Sequence, residues 1–583
     1  MSSLDQLKAA KGLTDVAQLV GFSPTGLAFV LYKKTPDSNY HKFEIPKRHG
    51  GNRQISAPEP QLKLIQRRLA DLLQDCAEQV NVKRKFPDTI SHGFKRKRSI
   101  VTNANRHRRR RFVFNVDLKD FFASINFGRV RGYFIKNRDF ALDERVATIL
   151  AKIACYENGL PQGSPCSPIV SNLVAHVMDV HLARLATGAS CAYTRYADDL
   201  TFSTNRGSFP DEIAVLAEGS SREWLAGSGL LKIVDTSGFE LNAGKTRMQY
   251  RDSRQEVTGL IVNRKLNVRR EYRHTTRAMV HRLITAGSFE LAGNAAQPGT
   301  NNQLHGMLGF VDEIDRYNQE LDKRRAEARG KKLDNSKLSS KESIYRRFIL
   351  FTYLWAAPMP VIICEGPTDN IYLLHAIRAL AADFPMLATM DAAGKTKLLV
   401  RLLKYVDRGT GRVLRVSSGG SANLCKLIRT YHAEKGRFHG PSGNKQPIMI
   451  LVDNDSGGRS VFATAGEVSR TKPTGAEPFV HITANMYLVP TPGQPSKIED
   501  CFDDASKGIV IDGKKFDDGN GIETDTHYGK KVFAHQVVVK QSATINFSGF
   551  KPLLERIAAV IAAHQEKLVT AEEMKGLQPP TVA

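Results

Sequence analysis

The chain has 583 residues, with 84 Lys and Arg against 59 Asp and Glu, a formal net charge of +25 and an isoelectric point near 9.7. A surface this basic repels itself and concentrates polyanions, so nucleic acid is the expected partner. The seven cysteines show no Cys-x-x-Cys pair and no metal-ligand spacing, and no apolar run reaches the ~18 residues of a membrane span. A disulfide scaffold, a zinc module and a membrane protein are thereby set aside in favour of a reduced, cytoplasmic chain of several domains, at roughly 100–200 residues each.

In chain order, Leu4, Leu7, Leu13, Val16, Leu19 and Val20 recur at helical spacing and predict small N-terminal helices. Three basic runs follow: Lys83-Arg84-Lys85, Lys95-Arg96-Lys97-Arg98 and Arg106-His107-Arg108-Arg109-Arg110-Arg111. Phosphate binding through them would weaken steeply with salt, because each neutralised phosphate releases counterions. The last run leads into Phe112-Val113-Phe114-Asn115-Val116-Asp117, which predicts a buried strand with Asp117 at its end. Tyr196-Ala197-Asp198-Asp199 sits between Ala192-Tyr193-Thr194-Arg195 and Leu200-Thr201-Phe202 and predicts a hairpin tip. Successive strand side chains point to opposite faces, so only a tight turn lets neighbouring aspartates converge.

Asp117 lies 198 − 117 = 81 residues before Asp198, so tertiary folding must join them. Converging carboxylates need a cation, and hard oxygen donors suit Mg²⁺, which takes its other ligands from water and substrate phosphates. Two such ions roughly 3.5–4 Å apart activate a 3′-hydroxyl and stabilise leaving pyrophosphate. The chemistry expected at Asp117, Asp198 and Asp199 is that of a polymerase.

From about Asp322 to Glu342, Ser336 included, the composition turns to Lys, Arg, Asn, Ser and Gly, as in an exposed linker. Pro360-Val361-Ile362-Ile363-Cys364-Glu365-Gly366-Pro367-Thr368-Asp369 then predicts a buried strand ending in Glu-Gly, with a helix from Asn370 to Ala382 that Asp369 could cap. Ser417-Ser418-Gly419-Gly420 follows another short apolar strand, and Gln446-Pro447-Ile448-Met449-Ile450-Leu451-Val452-Asp453-Asn454-Asp455 gives a further strand ending in Asp-x-Asp. Open α/β sheets place their sites at the carboxyl ends of parallel strands. Glu499-Asp500 is either another pair of metal-ligating acids or the acidic start of a helix.

Asp117, the segment Leu160-Pro161-Gln162-Gly163-Ser164-Pro165-Cys166-Ser167-Pro168 and Tyr196-Ala197-Asp198-Asp199, in that order, resemble the palm of a reverse transcriptase. The resemblance implies that Asp117 and Asp198 bind both ions while Asp199 orients the primer end or tunes the pocket. It implies that Gln162 contacts the nucleotide sugar and that Lys245, in Asn242-Ala243-Gly244-Lys245-Thr246-Arg247, neutralises the triphosphate. Arg53 in Gly51-Asn52-Arg53-Gln54 would grip the same phosphates, a task suited to a planar guanidinium. Phe121 is either the ring that crowds out a ribose 2′-hydroxyl or a core residue.

Asn103-Ala104-Asn105-Arg106-His107 and Val257-Thr258-Gly259 are similar to signatures of retron reverse transcriptases. They imply that Asn103, His107, Val257, Thr258 and Gly259, with Arg109 of the basic run, recognise a structured noncoding RNA. That RNA would be the template, primed from a 2′-hydroxyl of an internal guanosine, giving a branched RNA–DNA hybrid that stays bound. In the second half, Glu365 with Asp453 and Asp455 resembles the Toprim domain of topoisomerases, primases and OLD-type nucleases. Asp453 and Asp455 would hold Mg²⁺, Glu365 would be ligand or general base, and Glu499 a further ligand.

The expected architecture is multidomain, α/β and α+β, a right-hand fingers-palm-thumb polymerase followed by a Toprim-like parallel-sheet domain. Its boundaries are N-terminal helices and fingers at 1–110, palm with fingers insertion at 111–262, a thumb-like RNA-recognition region at 263–320, a linker at 321–357 and the Toprim-like domain with C-terminal extension at 358–583. The expected function is that of a retron RNA-directed DNA polymerase using dNTPs and two Mg²⁺ ions. Its hybrid product would restrain a nuclease with one or two Mg²⁺ ions in anti-phage, toxin–antidote defence, with self-association left open. The alternatives are an RNA-binding scaffold, or another bacterial reverse transcriptase whose Toprim domain is only structural. Three intact, mutually repelling acids argue against a scaffold.

Overall fold

The computed structural model describes residues 2–576 except 48–49, 85–88, 292–296, 333–337, 393, 405–408, 417–418, 442, 520–522 and 524. Lys85 of the first basic run, Ser336 of the expected linker and Ser417-Ser418 lie outside the described residues. The chain folds as two units, Met1–Arg269 with Ile314–Gly330, and Arg270–Glu313 with Lys331–Ala583. No single described helix is long and apolar enough to cross a membrane.

In the first unit the helices Ser3–Ala9 and Leu13–Leu19 form as the apolar spacing predicts and bury Leu4, Leu7 and Val16, with Val20 buried at the C-cap and Leu13 and Leu19 half-buried. Strands β1 (Tyr40–Pro46) and β2 (Asn52–Pro58) form an antiparallel hairpin. Helix α1 (Ile100–Arg106) begins at Ser99, whose hydroxyl accepts the Val101 and Thr102 amides, an N-cap that satisfies donors the helix itself cannot. Next come β3 (Phe112–Asp117), the long helix α2 (Ser167–Gly188), the hairpin strands β4 (Ala192–Tyr196) and β5 (Asp199–Thr204), and β6 (Arg247–Tyr250). They build an antiparallel sheet in the order β4-β5-β3-β6. Val113, Phe114 and Val116 are buried in it, each worth about 1.5–3 kcal/mol of apolar transfer, which makes the central strand a rigid mount for the acid at its end. A short hairpin of β7 (Glu256–Val257) and β8 (Leu260–Ile261) follows.

The second unit holds a sheet of β9 (Val361–Ile363), β10 (Arg401–Leu402), β11 (Ile448–Val452), β12 (Val480–Thr483) and β13 (Met486–Pro490). The order is β10-β9-β11-β13-β12, parallel except for β12. Alternate residues enter different cores: Val361, Ile363, Ile448 and Ile450 join Leu424, Ile428 and Tyr431, while Ile362, Met449 and Leu451 join Tyr372, Ile377, Leu554 and Ile557. Coverage of both faces explains why β11 is an unbroken apolar run rather than an alternating one. Ile363 pairs with Ile450, so Glu365 and Asp453 leave the sheet at the same edge.

Three local expectations change. The helix after β9, α3, spans Asp369–Ala379 rather than Asn370 to Ala382. The apolar stretch before Ser417 is the helix Thr410–Leu414 rather than a strand, and Arg401–Leu402 takes the sheet position beside β9. Within 321–357, expected as a linker, the helix Asn301–Glu327 ends and the helix Ser340–Leu350 forms. Ser339 and Glu342 close a capping box there, which gives a polar sequence a local reason to be helical.

Candidate functional site

Asp117 lies directly opposite Asp199 in the β3–β5 ladder, and Ala197-Asp198 is the two-residue turn joining β4 to β5, with Tyr196 paired to Asp199. Ala197 has φ +57°, the left-handed backbone such tight turns demand. The Leu118 amide donates to the Asp198 carbonyl at 3.0 Å, tying the turn to the end of β3. Asp117 is buried; Lys245 Nζ donates to its Oδ2 at 2.9 Å and Asn242 Nδ2 to its Oδ1 at 3.3 Å. Burial and then the Asp117 carboxylate raise the Asp198 acid above the ordinary carboxylate range, with the charges of Lys245 and Arg53 opposing the shift. Partial burial and then Asp198 and Asp117 push Asp199 up to about 6, although it is the most open of the three to solvent.

Among the described residues no three His, Cys, Asp or Glu side chains already form a metal cluster. The donors present are all carboxylate oxygens under mutual repulsion, with Lys245 as the cation that offsets Asp117. Such a donor set fits Mg²⁺ completed by substrate phosphates rather than a closed protein cage.

The Pro161-Gln162-Gly163 turn lies against β2, the strand that carries Arg53. The Ser56 amide donates to the Gln162 carbonyl at 2.8 Å. Gly163 has φ +125°, and a Cβ there would meet the Ser56 carbonyl oxygen at 2.8 Å, so the close approach requires glycine. Arg53 itself is exposed. Phe121 is only 3% exposed and stacks against Phe239 with ring centroids 5.7 Å apart, which makes it a core residue as folded. Its neighbour Phe122 is half-buried, 6.1 Å from Phe94, and is the ring with an open side, whereas the resemblance points to Phe121, four residues after Asp117.

Two sequence-distant segments meet beside this site. Thr258 and Gly259, with φ +46° and +81°, form the turn between β7 and β8, and Thr258 Oγ1 donates to the Ile100 carbonyl of α1 at 3.3 Å. Val257 is buried and Gly259 exposed. Asn103 and His107 are fully buried, contrary to their expected role in touching RNA. His107 bridges the sheet, Nδ1 to Ser203 Oγ at 2.8 Å and Nε2 to Thr194 Oγ1 at 2.7 Å, and burial depresses its imidazole to about 3. Both Asn103 amide atoms lack a partner among the described residues. These two residues therefore shape the surface from within, while Arg109, exposed with its amide on the Val262 carbonyl at 3.0 Å, stands on it. Arg96 of the middle basic run is engaged by Asp75 at 2.6 Å and Glu78 at 3.6 Å, so that run is not all available to phosphate.

In the second unit, Asp453 and Glu499 come together with Asp369, a residue the sequence suggested as a helix cap and did not place among the metal ligands. Burial, then Asp369 and Glu499, push Asp453 up to about 7; burial and the Glu499 charge push Asp369 up to about 6. Asp369 Oδ2 accepts the Gly366 amide at 2.7 Å, and Asp453 Oδ1 the Ile498 amide at 2.9 Å. Glu499 is fully buried; its Oε2 accepts Lys530 Nζ at 3.0 Å, and its Oε1 has no partner among the described residues. Asp500 instead accepts the Lys497 amide at 2.8 Å and caps its own turn, which separates the two acids the sequence left paired.

Glu365 is raised by burial and by Asp455, with one carboxylate oxygen buried and unpartnered among the described residues. Asp455 Oδ1 accepts the Gly457 and Gly458 amides at 2.8 and 3.1 Å. Orphaned buried carboxylate oxygens and crowded acids again fit a hard cation. The spacing Glu-Gly-x-x-Asp was the available signal for Asp369; Lys530, 31 residues after Glu499 and in no motif, offered none.

Residues 45–263 match the family model described as reverse transcriptase (RNA-dependent DNA polymerase). The chain is 35% identical over 311 residues to the retron Mx65 reverse transcriptase of Myxococcus xanthus, across 50% of this chain and 65% of that protein. It is 32% identical over 343 residues to the retron Mx162 reverse transcriptase of the same organism, across 54% and 65%. To the retron Ec86 reverse transcriptase of Escherichia coli it is 28% identical over 316 residues, across 53% and 86%. The chain thus spans just under two thirds of the length of the two Myxococcus relatives.

Proposed function

We propose, from the premise that residues 45–263 are a reverse-transcriptase domain similar to those of retron enzymes, that the chain is an RNA-directed DNA polymerase acting on a structured noncoding RNA. The observation that carries this reading is Asp117 paired across the sheet with Asp199 while Asp198 occupies the adjoining turn. Asp117 and Asp198, with Asp199 beside them, would hold Mg²⁺, which supplies activation of the primer hydroxyl and charge neutralisation on pyrophosphate. Lys245 and Arg53 place positive charge where a triphosphate would lie. The Gln162 turn, fixed on β2, positions the sugar, and the open ring of Phe122 rather than buried Phe121 crowds a 2′-hydroxyl. Primer extension on a homopolymer RNA template with Mg²⁺ tests this directly: absence of DNA product from the parent protein refutes it.

The template RNA would be held by Arg109 and the surface formed by α1 and the Thr258-Gly259 turn, whose contact across 158 residues of sequence supports a shared role. The branched RNA–DNA product would remain bound in the cytoplasm.

For the second unit the reading is a Toprim-like, Mg²⁺-dependent nuclease with Glu365, Asp369, Asp453, Asp455 and Glu499 as its acids. A cleft of about 1050 Å³ lined by Asp455, Arg459, Lys472 and Lys497 supports a phosphate-bearing substrate. Restraint of this activity by the hybrid would make the chain an anti-phage effector. In phage-challenge growth assays Asp453→Ala abolishes protection; protection equal to the parent's sinks the effector role. The rival, a sheet kept only for docking, is favoured if Asp455→Asn leaves any nuclease activity of the folded protein intact.

A further inference from the structure

We propose that Arg195 is a positioning residue for the catalytic turn, acting through the Ala197 carbonyl from a buried cradle of Asp179 and Asn172. Arg195 is fully buried, as is Asp179 on α2. Its backbone is fixed on both sides: it pairs with Leu200 in the β4–β5 hairpin, donates its amide to the Ile90 carbonyl at 3.0 Å, and accepts the His92 amide at 2.8 Å. The guanidinium then folds back toward the turn. Nε and Nη2 donate to the two Asp179 oxygens at 2.8 Å each. Nη1 donates to Asn172 Oδ1 at 3.2 Å and to the Ala197 carbonyl at 3.0 Å. Tyr193 Oη adds a bond to Asp179 Oδ1 at 2.9 Å.

A buried ion pair alone would need only Asp179, and burying charge is unfavourable unless the remaining donors are satisfied. Here the arm left over reaches the carbonyl of the residue immediately before Asp198. Ala197 carries a side chain in left-handed backbone at φ +57°, a conformation that needs support from outside the turn. A second wall is Gly93, where a Cβ would lie 2.6 Å from the Ala197 amide nitrogen, and Asn172 Nδ2 donates to the Gly93 carbonyl at 2.7 Å. One asparagine therefore touches both walls. The turn is held by the Arg195 fork and by close contact with the Gly93 backbone, and this hold sets where the Asp198 carboxylate stands relative to Asp117. Lysine cannot reproduce it, because a point charge cannot span Asp179, Asn172 and the carbonyl at once.

The inference rests on the polymerase reading and is tested with the full-length chain and three variants, Arg195→Lys, Asn172→Ala and Gly93→Ala. Thermal melts report folding, fluorescence anisotropy reports template–primer affinity, and calorimetry reports Mn²⁺ binding. Steady-state extension separates kcat from KM. Displacement of a reacting group by about 1 Å costs on the order of 10²-fold. The expected result is a kcat loss of about 10- to 100-fold in each folded variant, with template affinity and dNTP KM held within about threefold and Mn²⁺ binding weakened. Lowered melting temperature with parental kcat in the folded fraction means a merely structural network and overturns the proposal. Should Arg195→Lys fail to fold, parental kcat and Mn²⁺ binding in Asn172→Ala and Gly93→Ala overturn it equally. A parent protein that makes no DNA sinks the polymerase reading itself, whereas an active parent with equally active variants sinks only the role of Arg195.

Discussion

Around the Ala197-Asp198 turn three carboxylates come together with Lys245 on Asp117, and burial first, then their mutual repulsion, raises the acids of Asp198 and Asp199. Replacing one of them trades function for stability. Asp198→Asn is expected to reduce dNTP incorporation by roughly 10³-fold or more while raising the melting temperature in metal-free buffer, since a repelling charge is gone. Equal activity in the variant removes Asp198 from the site. His107 gives a second residue-level expectation. Its imidazole, ordinarily near 6.5, lies at about 3 because burial and then Arg110 disfavour the cation. The folded state thus binds fewer protons than the unfolded one, so the contribution is complete above about 6.5 and is lost as pH falls toward 3, at about 1.4 kcal/mol per unit. Nitrogen NMR shifts of labelled histidine should show it neutral at pH ~5; a protonated His107 there contradicts the buried bridge to Ser203 and Thr194.

Elements carry the next set of consequences. The Gln162-Gly163 turn meets β2 at a distance no side chain tolerates, with a Cβ at Gly163 only 2.8 Å from the Ser56 oxygen. Gly163→Ala should therefore destabilise the first unit by about 1–3 kcal/mol and raise the dNTP KM more than it lowers kcat. An unchanged melting curve and KM refute the docking. The strands β3, β9 and β11 were legible because their apolar runs lead into acids, and β5 because its run starts from the Asp198-Asp199 pair. The segment before Ser417 was misread, since a five-residue stretch of mixed character cannot distinguish helix from strand by periodicity. The Asn103 to His107 and Val257 to Gly259 segments were legible as signatures, but not their placement: only folding shows that α1 is packed with β7 and β8 and that Asn103 and His107 point inward.

At the level of the whole molecule, the charge of +25 implies that affinity for the proposed RNA falls with salt. Arg109→Ala should flatten the slope of log affinity against log salt by about 1, the signature of one lost phosphate contact; an unchanged slope places Arg109 off the RNA. The two units carry separate acid sets. Asp453→Asn is expected to leave primer extension within about twofold of the parent while abolishing any Mg²⁺-dependent nuclease activity, measured on the same preparation. Loss of DNA synthesis in that variant would contradict the independence of the two sites.

The residues alone determined the chemistry of the first half. An acid at a strand end, an acid pair at a hairpin tip and a Pro-Gln-Gly turn are local patterns, and local patterns survive in a linear text. Tertiary structure alone decided which side chains face solvent and which face inward: Phe122 is more open than Phe121, Glu499 and Asp369 turn into an acidic cluster while Asp500 caps its own turn, and Asn103 and His107 are interior supports. Burial and long-range proximity depend on what the rest of the chain packs against each residue, and that information is spread over the whole sequence rather than written beside any one position.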